Sequence, residues 1–231
     1  MGLVSPALFV LSAPSGSGKT SLVKQALEHL PFLILSVSTT TRAPRVGETE
    51  GIEYHFTNKD DFLRSVEQGE FLEWAEVYGN YYGTSKLRIE QAQAKGFSVI
   101  LDIDVQGAMQ LKQLSEFSAH YLFIKPPSLE ELRKRLIERE TETDETLEKR
   151  IGNAAHELTF QDQYDHVILN DDLAQATKEF LWFLIEQSFN IKLFTSMTID
   201  EVLAVLPHWA QDSFVQSMLR ERHAALVGLG Q

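Results

Sequence analysis

Five short and largely apolar runs are spaced along the chain. A continuous apolar run is typical of a strand that is buried on both faces of a parallel sheet. The runs are ALFVLS at 7–12, FLILSVS at 32–38, FSVILDID at 97–104, HYLFIK at 120–125 and HVILN at 166–170. Stretches with helical spacing alternate with them, such as TSLVKQALEHL from Thr20 and SLEELRKRLIERE from Ser128. This alternation predicts an α/β fold in which helices flank a five-stranded parallel sheet.

Two stretches interrupt the alternation. The interval from about 39 to 93 holds aromatic, glycine and charged residues, with short strands predicted at EYHF and NYYG. We interpret it as a lobe inserted between two strands of the core. The stretch from about 130 to 160 is dense in charge and poor in apolar residues, and it predicts a second, mobile lobe. Ser128 and Glu131 have the spacing of a capping box where its first helix begins.

Composition and charge exclude several classes of function. The chain has 231 residues, 43% of them hydrophobic, no cysteine and a net charge of −12. The absence of cysteine excludes disulfides and thiolate metal sites. The negative charge argues against broad binding of nucleic acids or anionic membranes, so an anionic ligand needs a local basic cluster. No Lys or Arg precedes the first apolar run, and FLWFLI at 180–185 is too short to span a bilayer, which together predict a cytoplasmic protein.

The stretch SAPSGSGKTSL follows the first predicted strand and opens a helix. This is the context that a phosphate-binding loop requires, with backbone N–H groups and a helix N-terminus facing an anion. Lys19 is expected to reach the β- and γ-phosphates of a triphosphate, and Thr20 to bind Mg²⁺. The usual first glycine is replaced by Ala13, whereas Gly16 and Gly18 are retained. The alternative is an ordinary strand–turn–helix with a solvent-facing lysine.

An acidic residue at the end of a neighbouring strand would complete such a site. VILDID supplies Asp102 and Asp104, which we expect on the same face of the strand. Aspartates at strand ends are also common turn formers, so the two aspartates alone do not indicate a metal site. Together with the loop, it predicts a site for an ATP-type triphosphate with Mg²⁺.

The inserted lobe carries candidates for binding a phosphoryl acceptor. Arg42 and Arg45 lie three residues apart with Tyr54 nearby, and two guanidinium groups suit a dianionic phosphate. A charged surface loop is the alternative. Later in the lobe, further candidates for contacts with the acceptor are Glu73, Tyr82 and Thr84. A buried carboxylate can accept hydrogen bonds from N1–H and the exocyclic amine of guanine, whereas adenine presents an acceptor at N1. The alternative for Glu73 is an exposed charge beside a packed tryptophan.

These motifs, in this order, resemble those of guanylate kinases. They are SAPSGSGKTSL, SVSTTTRAPRVGE, FLEWAEVYGNYYGTS, ILDIDVQG, FIKPPS, KRL and VILNDD, and they span about residues 3–187. The resemblance implies a P-loop kinase core at 1–38 and 94–187, a GMP-binding lobe at about 39–93 and a lid at about 130–160. It also implies transfer of a phosphoryl group from ATP to GMP, and by extension dGMP, with Mg²⁺, in purine nucleotide metabolism.

The resemblance assigns roles residue by residue. The residues that would contact ATP are Ala13, Pro14, Ser15, Gly16, Ser17, Gly18, Lys19, Thr20, Ser21, Asn170 and Asp171. Those that would contact GMP are Ser38, Arg42, Arg45, Tyr54, Glu73, Tyr82, Thr84 and Asp104. Those that would stabilise the transferring group are Lys19, Arg42, Arg135, Arg139 and Arg150. Thr20 and Asp102 would lie at the metal. The chain departs from the family at Glu140, where a glycine usually follows the lid arginine.

The resemblance does not cover residues 188–231. This tail is interpreted as two short helices separated at Pro207, with an apolar face at Val202, Leu203, Val205 and Leu206. It is either a helical cap on the core or a surface for homo-oligomer formation. Two other functions also remain as alternatives: a catalytically inactive protein-binding module of the same fold, and a kinase for a different small acceptor.

Overall fold

The computed structural model describes residues 6–77, 79–114, 118–138, 144–189, 198–206 and 208–228. The strands in these ranges are β1 (Leu8–Ser12), β2 (Leu33–Leu35), β3 (Thr39–Thr40), β4 (His55–Phe56), β5 (Phe71–Val77), β6 (Asn80–Ser85), β7 (Ser98–Asp102), β8 (His120–Lys125) and β9 (His166–Leu169). The helices there are α1 (Lys19–His29), α2 (Lys59–Glu67), α3 (Lys86–Ala94), α4 (Val105–Lys112), α5 (Leu129–Ile137), α6 (Asp144–Leu158), α7 (Leu173–Ser188), α8 (Ile199–Val205) and α9 (Ser213–Gly228).

A five-stranded parallel sheet forms the centre of the fold, in the order β2-β7-β1-β8-β9. Along β1, Phe9 and Leu11 point into one apolar cluster, whereas Leu8 and Val10 point into another. Because both faces of the strand are covered, its sequence is apolar throughout. The predicted α/β fold with a five-stranded parallel sheet is confirmed.

Helices cover both faces of this sheet. The first cluster contains Leu22 of α1 and Phe180 of α7, so these two helices lie on one face. The second contains Ile89 of α3 and Ala108 of α4, which cover the other. The carboxyl ends of the parallel strands and the loops after them are left between the two layers, where ligand sites of such sheets usually form.

A second sheet lies between β2 and β7 in the sequence, with the order β4-β3-β6-β5. Strands β5 and β6 are antiparallel, with a register shift between Phe71 and Glu73. On this lobe, Phe62 of α2 stacks against Phe71 with ring centroids 4.6 Å apart. These aromatic contacts give the lobe a small core of its own.

The ends of two strands differ from the prediction. Strand β2 stops at Leu35 rather than Ser38. Strand β7 stops at Asp102, and the expectation that Asp102 and Asp104 share one strand face is wrong. Asp104 instead caps α4, where its carboxylate accepts a hydrogen bond from the N–H of Gly107 at 2.8 Å. The unsatisfied amides of the helix provide the physical reason, because they favour an aspartate just before the first turn.

The two helices of the predicted lid pack against each other through Leu132, Leu136, Leu147 and Ala154. At the start of α5, Ser128 Oγ accepts a hydrogen bond from the N–H of Glu131 at 3.0 Å. The Glu131 carboxylate accepts one from Nε of Arg135 at 3.2 Å. Arg139 and Glu140 lie outside the described residues.

The tail packs on the face of the core that α1 and α7 cover. Its buried members are Leu203, Leu206, Ala210, Val215, Met218 and Leu219, which belong to the same cluster as Phe9 and Phe180. Pro207 is not among the described residues. Within the described ranges, none of the helices combines the length and the hydropathy that a bilayer span requires.

Candidate active site

The glycine-rich loop lies between β1 and α1. Gly16 and Gly18 have φ angles of +93° and +86°, in the left-handed region that glycine tolerates. The N–H of Ser17 donates to the carbonyl of Pro14 at 3.0 Å, and Gly18 caps the N-terminus of α1. The loop and the start of α1 surround a cavity of about 300 Å³ that is lined by Ala13, Pro14, Ser15, Gly16, Ser17, Gly18, Lys19, Thr20 and Glu157.

Asn170 holds the loop against the end of β9. Its buried side-chain amide donates to the carbonyl of Ser17 at 2.8 Å. A Cβ atom on Gly18 would lie 2.2 Å from Nδ2 of Asn170, so only glycine fits. The carbonyl of Asn170 in turn accepts from Nη1 of Arg135 at 3.0 Å. Asn170 therefore connects the phosphate loop to α5.

Lys19 and Asp102 come together across the sheet. Strands β1 and β7 pair in register, with Leu11 opposite Asp102, so the end of β7 lies beside the loop that leaves β1. The Nζ of Lys19 donates to the carboxylate of Asp102; Lys19 is half-buried and Asp102 is exposed. Thr20, the next residue along the chain, is exposed to the cavity. The structure thus brings Asp102 to Lys19 and places Lys19 and Thr20 in the lining of the cavity.

Glu157 was not predicted, and it lines the same cavity from α6. Burial, which is the largest effect, raises the pKa of this carboxyl; Lys19 opposes the shift and Asp104 adds to it. Its Oε2 is buried and has no hydrogen-bond partner among the described residues. A charged residue on a charged helix carries no signal in the sequence that would separate it from its exposed neighbours.

Glu73 forms the centre of a second polar group, in the inserted lobe. The register shift in β5 sets Glu73 opposite Thr84 of β6, and Thr84 Oγ1 donates to Glu73 Oε1 at 2.6 Å. The side chain is only 8% exposed. Burial, with a smaller contribution from Asp104, raises the pKa of Glu73 to about 7, although the hydrogen bond from Thr84 opposes it. The alternative of an exposed charge at Glu73 is therefore wrong.

The helix cap Asp104 lies beside this carboxylate. A Cβ atom on Gly107 would be 2.9 Å from Glu73 Oε2 and 3.4 Å from Asp104 Oδ1, so both carboxylates approach the same glycine. Glycine at this position leaves the room that Glu73 occupies. Helix α4 of the core and strand β5 of the lobe thus contribute to one site.

Arg42 is held in place by neighbours in the lobe. Its Nη2 donates to both oxygens of Glu48 at 2.7 and 2.9 Å, and its guanidinium lies 5.3 Å from the ring centroid of Tyr54. The hydrogen bond from Arg42 lowers the pKa of Glu48. The ring of Tyr82 lies 5.8 Å from that of Tyr54. Glu48 was missed because nothing in the local pattern links it to Arg42.

Four other predicted residues lie on four separate segments of the chain. Ser38 is half-buried just before β3, and its carbonyl accepts from the N–H of His55 at 2.8 Å. Arg45 is exposed, and its backbone N–H donates to Glu48 at 2.8 Å. Arg150 and Asp171 are exposed, on α6 and just after β9 respectively.

A phosphate loop between β1 and α1, beside an aspartate at the end of the neighbouring parallel strand, defines the class of protein. The chain is a P-loop protein of the nucleotide-kinase type.

Comparison with known proteins identifies the family. A family model described as guanylate kinase matches residues 5–187. A guanylate kinase from Geobacter metallireducens is 48% identical over 172 residues, which are 74% of this chain and 84% of that protein. One from Vibrio cholerae is 48% identical over 176 residues, 75% of this chain and 84% of the relative. The chain belongs to the guanylate kinase family.

Comparison of structures agrees with this result. The crystal structure of a guanylate kinase from Anaplasma phagocytophilum aligns with a TM-score of 0.64 and 36% sequence identity. The alignment covers 81% of this chain and 89% of that one. The resemblance inferred from the sequence motifs is confirmed.

Proposed function

We propose that the protein transfers the γ-phosphoryl group of ATP to GMP, and also to dGMP, giving ADP and the nucleoside diphosphate. Membership of the guanylate kinase family supports this proposal. The observation that carries it is the buried Glu73 with its bond from Thr84, in a lobe joined to a phosphate loop. An exposed carboxylate would not select a base. Burial of a carboxylate costs free energy of folding, and a buried carboxylate with a raised pKa is therefore a candidate for a binding role.

Glu73 would recognise guanine by its edge. The ionised carboxylate accepts hydrogen bonds from N1–H and the exocyclic amine, and Thr84 fixes the orientation of the carboxylate. Adenine would place its N1 lone pair against the same anion. We assign Ser38 and Asp104 to the surroundings of the base.

The phosphate of GMP would bind beside the guanidinium groups. Arg42 is oriented by Glu48 and by the ring of Tyr54, so its position is set before a ligand arrives. Tyr54 and Tyr82 would add hydroxyl donors, and the exposed Arg45 would close over the phosphate. Together they supply the local basic cluster that a protein of net charge −12 needs.

The triphosphate of ATP would occupy the cavity of the loop. The hydroxyl of Thr20 and the carboxylate of Asp102 are hard oxygen ligands of the kind that Mg²⁺ prefers. One or two such protein ligands suffice when phosphate oxygens supply further ligands. When bound, Mg²⁺ neutralises charge on the β- and γ-phosphates. We assign Lys19, Arg135, Arg139 and Arg150 to the transferring group, and Asn170 and Asp171 to the adenine side.

The chemistry requires positioning and charge stabilisation. The attacking atom is an oxygen of the GMP phosphate, whose second pKa is about 6, so it is ionised near neutral pH and needs no general base. The protein contributes by holding the two nucleotides in line and by surrounding the transition state with cations. Closure of the lid and the lobe would exclude water as a competing acceptor.

A coupled assay of ADP formation with ATP and Mg²⁺ tests the proposal. The acceptors are GMP, dGMP, AMP, CMP and UMP, with Lys19→Ala as the control. We expect turnover with GMP and dGMP, and a loss on the order of 10²–10³ in rate for Lys19→Ala.

Two other outcomes would redirect the assignment. Preference for AMP would overturn the role of Glu73 in selecting guanine. Absence of turnover in a protein that still binds GMP would favour the inactive protein-binding module.

A further inference from the structure

Glu157 places a carboxylate in a cavity that otherwise suits an anion. It lies near the end of α6 and lines the cavity of about 300 Å³ together with the phosphate loop. Within the described ranges, its Oε2 is buried and accepts no hydrogen bond. A buried charged oxygen without a hydrogen-bond partner costs free energy. A ligand that donates a hydrogen bond to this oxygen would remove part of that cost.

Neighbouring charges do not balance this carboxylate. Lys19 attracts it, but Nζ of Lys19 already donates to Asp102. Asp104 repels it. Among the described contacts, Glu157 has no direct ion pair. A triphosphate entering the loop would therefore meet a carboxylate of the same sign at close range, which is unfavourable in a partly buried site.

A hydrated cation between the two anions resolves this conflict. Mg²⁺ gives up its water reluctantly and keeps several water ligands in phosphoryl-transfer sites. Each of these waters donates hydrogen bonds, and a carboxylate that holds such a ligand from outside strengthens metal binding. The unsatisfied oxygen of Glu157 is an acceptor of this kind.

We propose that Glu157 is a positioning residue for the metal: its carboxylate accepts a hydrogen bond from a water on the Mg²⁺ that accompanies ATP. The proposal rests on the proposed function, because it needs ATP and Mg²⁺ in the loop. It assigns a task to helix α6, which brings Glu157 to the cavity.

The proposal predicts effects of opposite sign with and without metal. When Glu157 is replaced by glutamine, ATP alone binds more tightly, because a like charge has been removed. The metal binds the nucleotide complex more weakly, because the amide accepts less strongly than a carboxylate. A residue that only stabilised α6 would weaken both kinds of binding together.

The experiment measures both affinities in the full chain. Mn²⁺ is titrated into protein saturated with a non-hydrolysable ATP analogue, and free Mn²⁺ is followed by its electron paramagnetic resonance spectrum. Binding of ATP in EDTA is followed by calorimetry. Glu130→Gln on α5 is the matched control, since it removes the same charge from a mostly exposed side chain. The Oε1 of Glu130 lies 3.7 Å from the Nζ of Lys134.

We expect Glu157→Gln to weaken Mn²⁺ binding about 10- to 100-fold, and to strengthen binding of metal-free ATP about two- to fivefold. Glu130→Gln should change neither by more than about twofold. If Glu157→Gln does not fold, Glu157→Asp keeps the charge with a shorter reach and should weaken Mn²⁺ binding by a smaller factor.

Three outcomes would overturn the proposal. One is unchanged Mn²⁺ affinity in the variant, and another is an equal loss of Mn²⁺ and metal-free ATP binding. The first two leave the proposed function intact, because the wild-type protein still binds nucleotide. The third is a wild-type protein that binds neither ATP nor its analogue, which overturns the proposed function as well.

Discussion

At the scale of single residues, the buried carboxyl of Glu73 lowers the stability of the fold once it is ionised. Its carboxyl is buried, and its pKa is raised from 4.5 to about 7. A raised pKa means that the folded protein holds the proton more tightly than the unfolded chain. The contribution of this group to stability is therefore fully present below about pH 4.5 and is lost as the pH rises through 7.

Replacing Glu73 with glutamine should stabilise the protein that has no ligand. The amide keeps the shape of the side chain and removes the buried charge. We expect a gain in the free energy of unfolding of about 1–3 kcal/mol at pH 8, with a smaller gain at pH 5.5. Urea denaturation at both values measures it, and Glu76→Gln, an exposed position on the same strand, is the control. A gain that did not change with pH would contradict the argument.

The same substitution should weaken GMP binding. An amide N–H would face the donors of the guanine edge, so we expect Kd to rise on the order of 10- to 100-fold near pH 8. In the wild type, affinity should fall as the pH drops below about 7, because Glu73 takes up a proton. Calorimetry from pH 5.5 to 8.5 measures both effects. The phosphate of GMP also titrates, at about pH 6. The pH dependence of GMP binding to Glu73→Gln measures the contribution of the phosphate alone. Identical pH profiles for the wild type and Glu73→Gln would refute the role of Glu73.

Gly18 tests the fit between the phosphate loop and Asn170. Alanine at this position would need φ of +86° and would place Cβ 2.2 Å from Nδ2 of Asn170. Gly47→Ala is a matched control, since its φ is +91° and nothing lies within 4 Å. Backbone strain should cost each variant about 1–2 kcal/mol. Gly18→Ala alone should lose more stability than this in thermal unfolding. It alone should also weaken ATP binding, by at least about tenfold. Equal losses of stability in both variants would contradict a clash with Asn170.

At the scale of elements, helix α4 of the core contacts the inserted lobe. Its N-terminus is capped by Asp104, and Gly107 in its first turn gives Glu73 of β5 the space that a methyl group would occupy. A glycine inside a helix usually weakens that helix relative to alanine. Gly107 is thus explained by the neighbouring strand rather than by its own helix.

Alanine at Gly107 and at Gly152 should have different consequences. Gly152→Ala on α6 meets nothing within 4 Å and should stabilise the protein by about 0.5–1 kcal/mol with no change in the KM for GMP. Gly107→Ala would push against Oε2 of Glu73, 2.9 Å away, so its KM for GMP should rise at least about tenfold. Steady-state kinetics and thermal unfolding of both variants provide the test. An unchanged KM in Gly107→Ala would mean that Glu73 moves without loss of function.

The sequence predicts those elements whose pattern is local. The strands of the large sheet are continuous apolar runs, and the phosphate loop is a contiguous motif, so both could be recognised. The cap formed by Asp104 was mistaken for part of a strand, because the competition between strand and helix depends on neighbours that are distant in the sequence. The contacts of Glu48 with Arg42, and of Glu157 with the cavity, arise only when the chain has folded.

At the scale of the whole molecule, the tail behaves as part of the core. Phe32 packs against Trp209 with ring centroids 5.1 Å apart, and His29 stacks on Phe214 at 5.0 Å. Lys178 of α7 donates to both oxygens of Glu221 at 2.8 and 2.9 Å. The apolar side of the tail thus faces α1 and α7, which favours the helical cap over a surface for self-association.

Truncation after Gln187 and the point variant Met218→Ala separate these two alternatives. Met218 is buried in the core cluster, so its replacement should lower the free energy of unfolding by about 2–5 kcal/mol. Ser217→Ala, on the exposed side of α9, should change it by less than about 0.5 kcal/mol. Because a cap contributes to folding and not to assembly, sedimentation should give the same oligomeric state for the wild type and Met218→Ala. The truncated chain, which loses the buried side of the tail, should unfold at a lower denaturant concentration. If the full chain sedimented as a dimer and the truncated chain as a stable monomer, the tail would be an interface, and the cap would be the wrong interpretation.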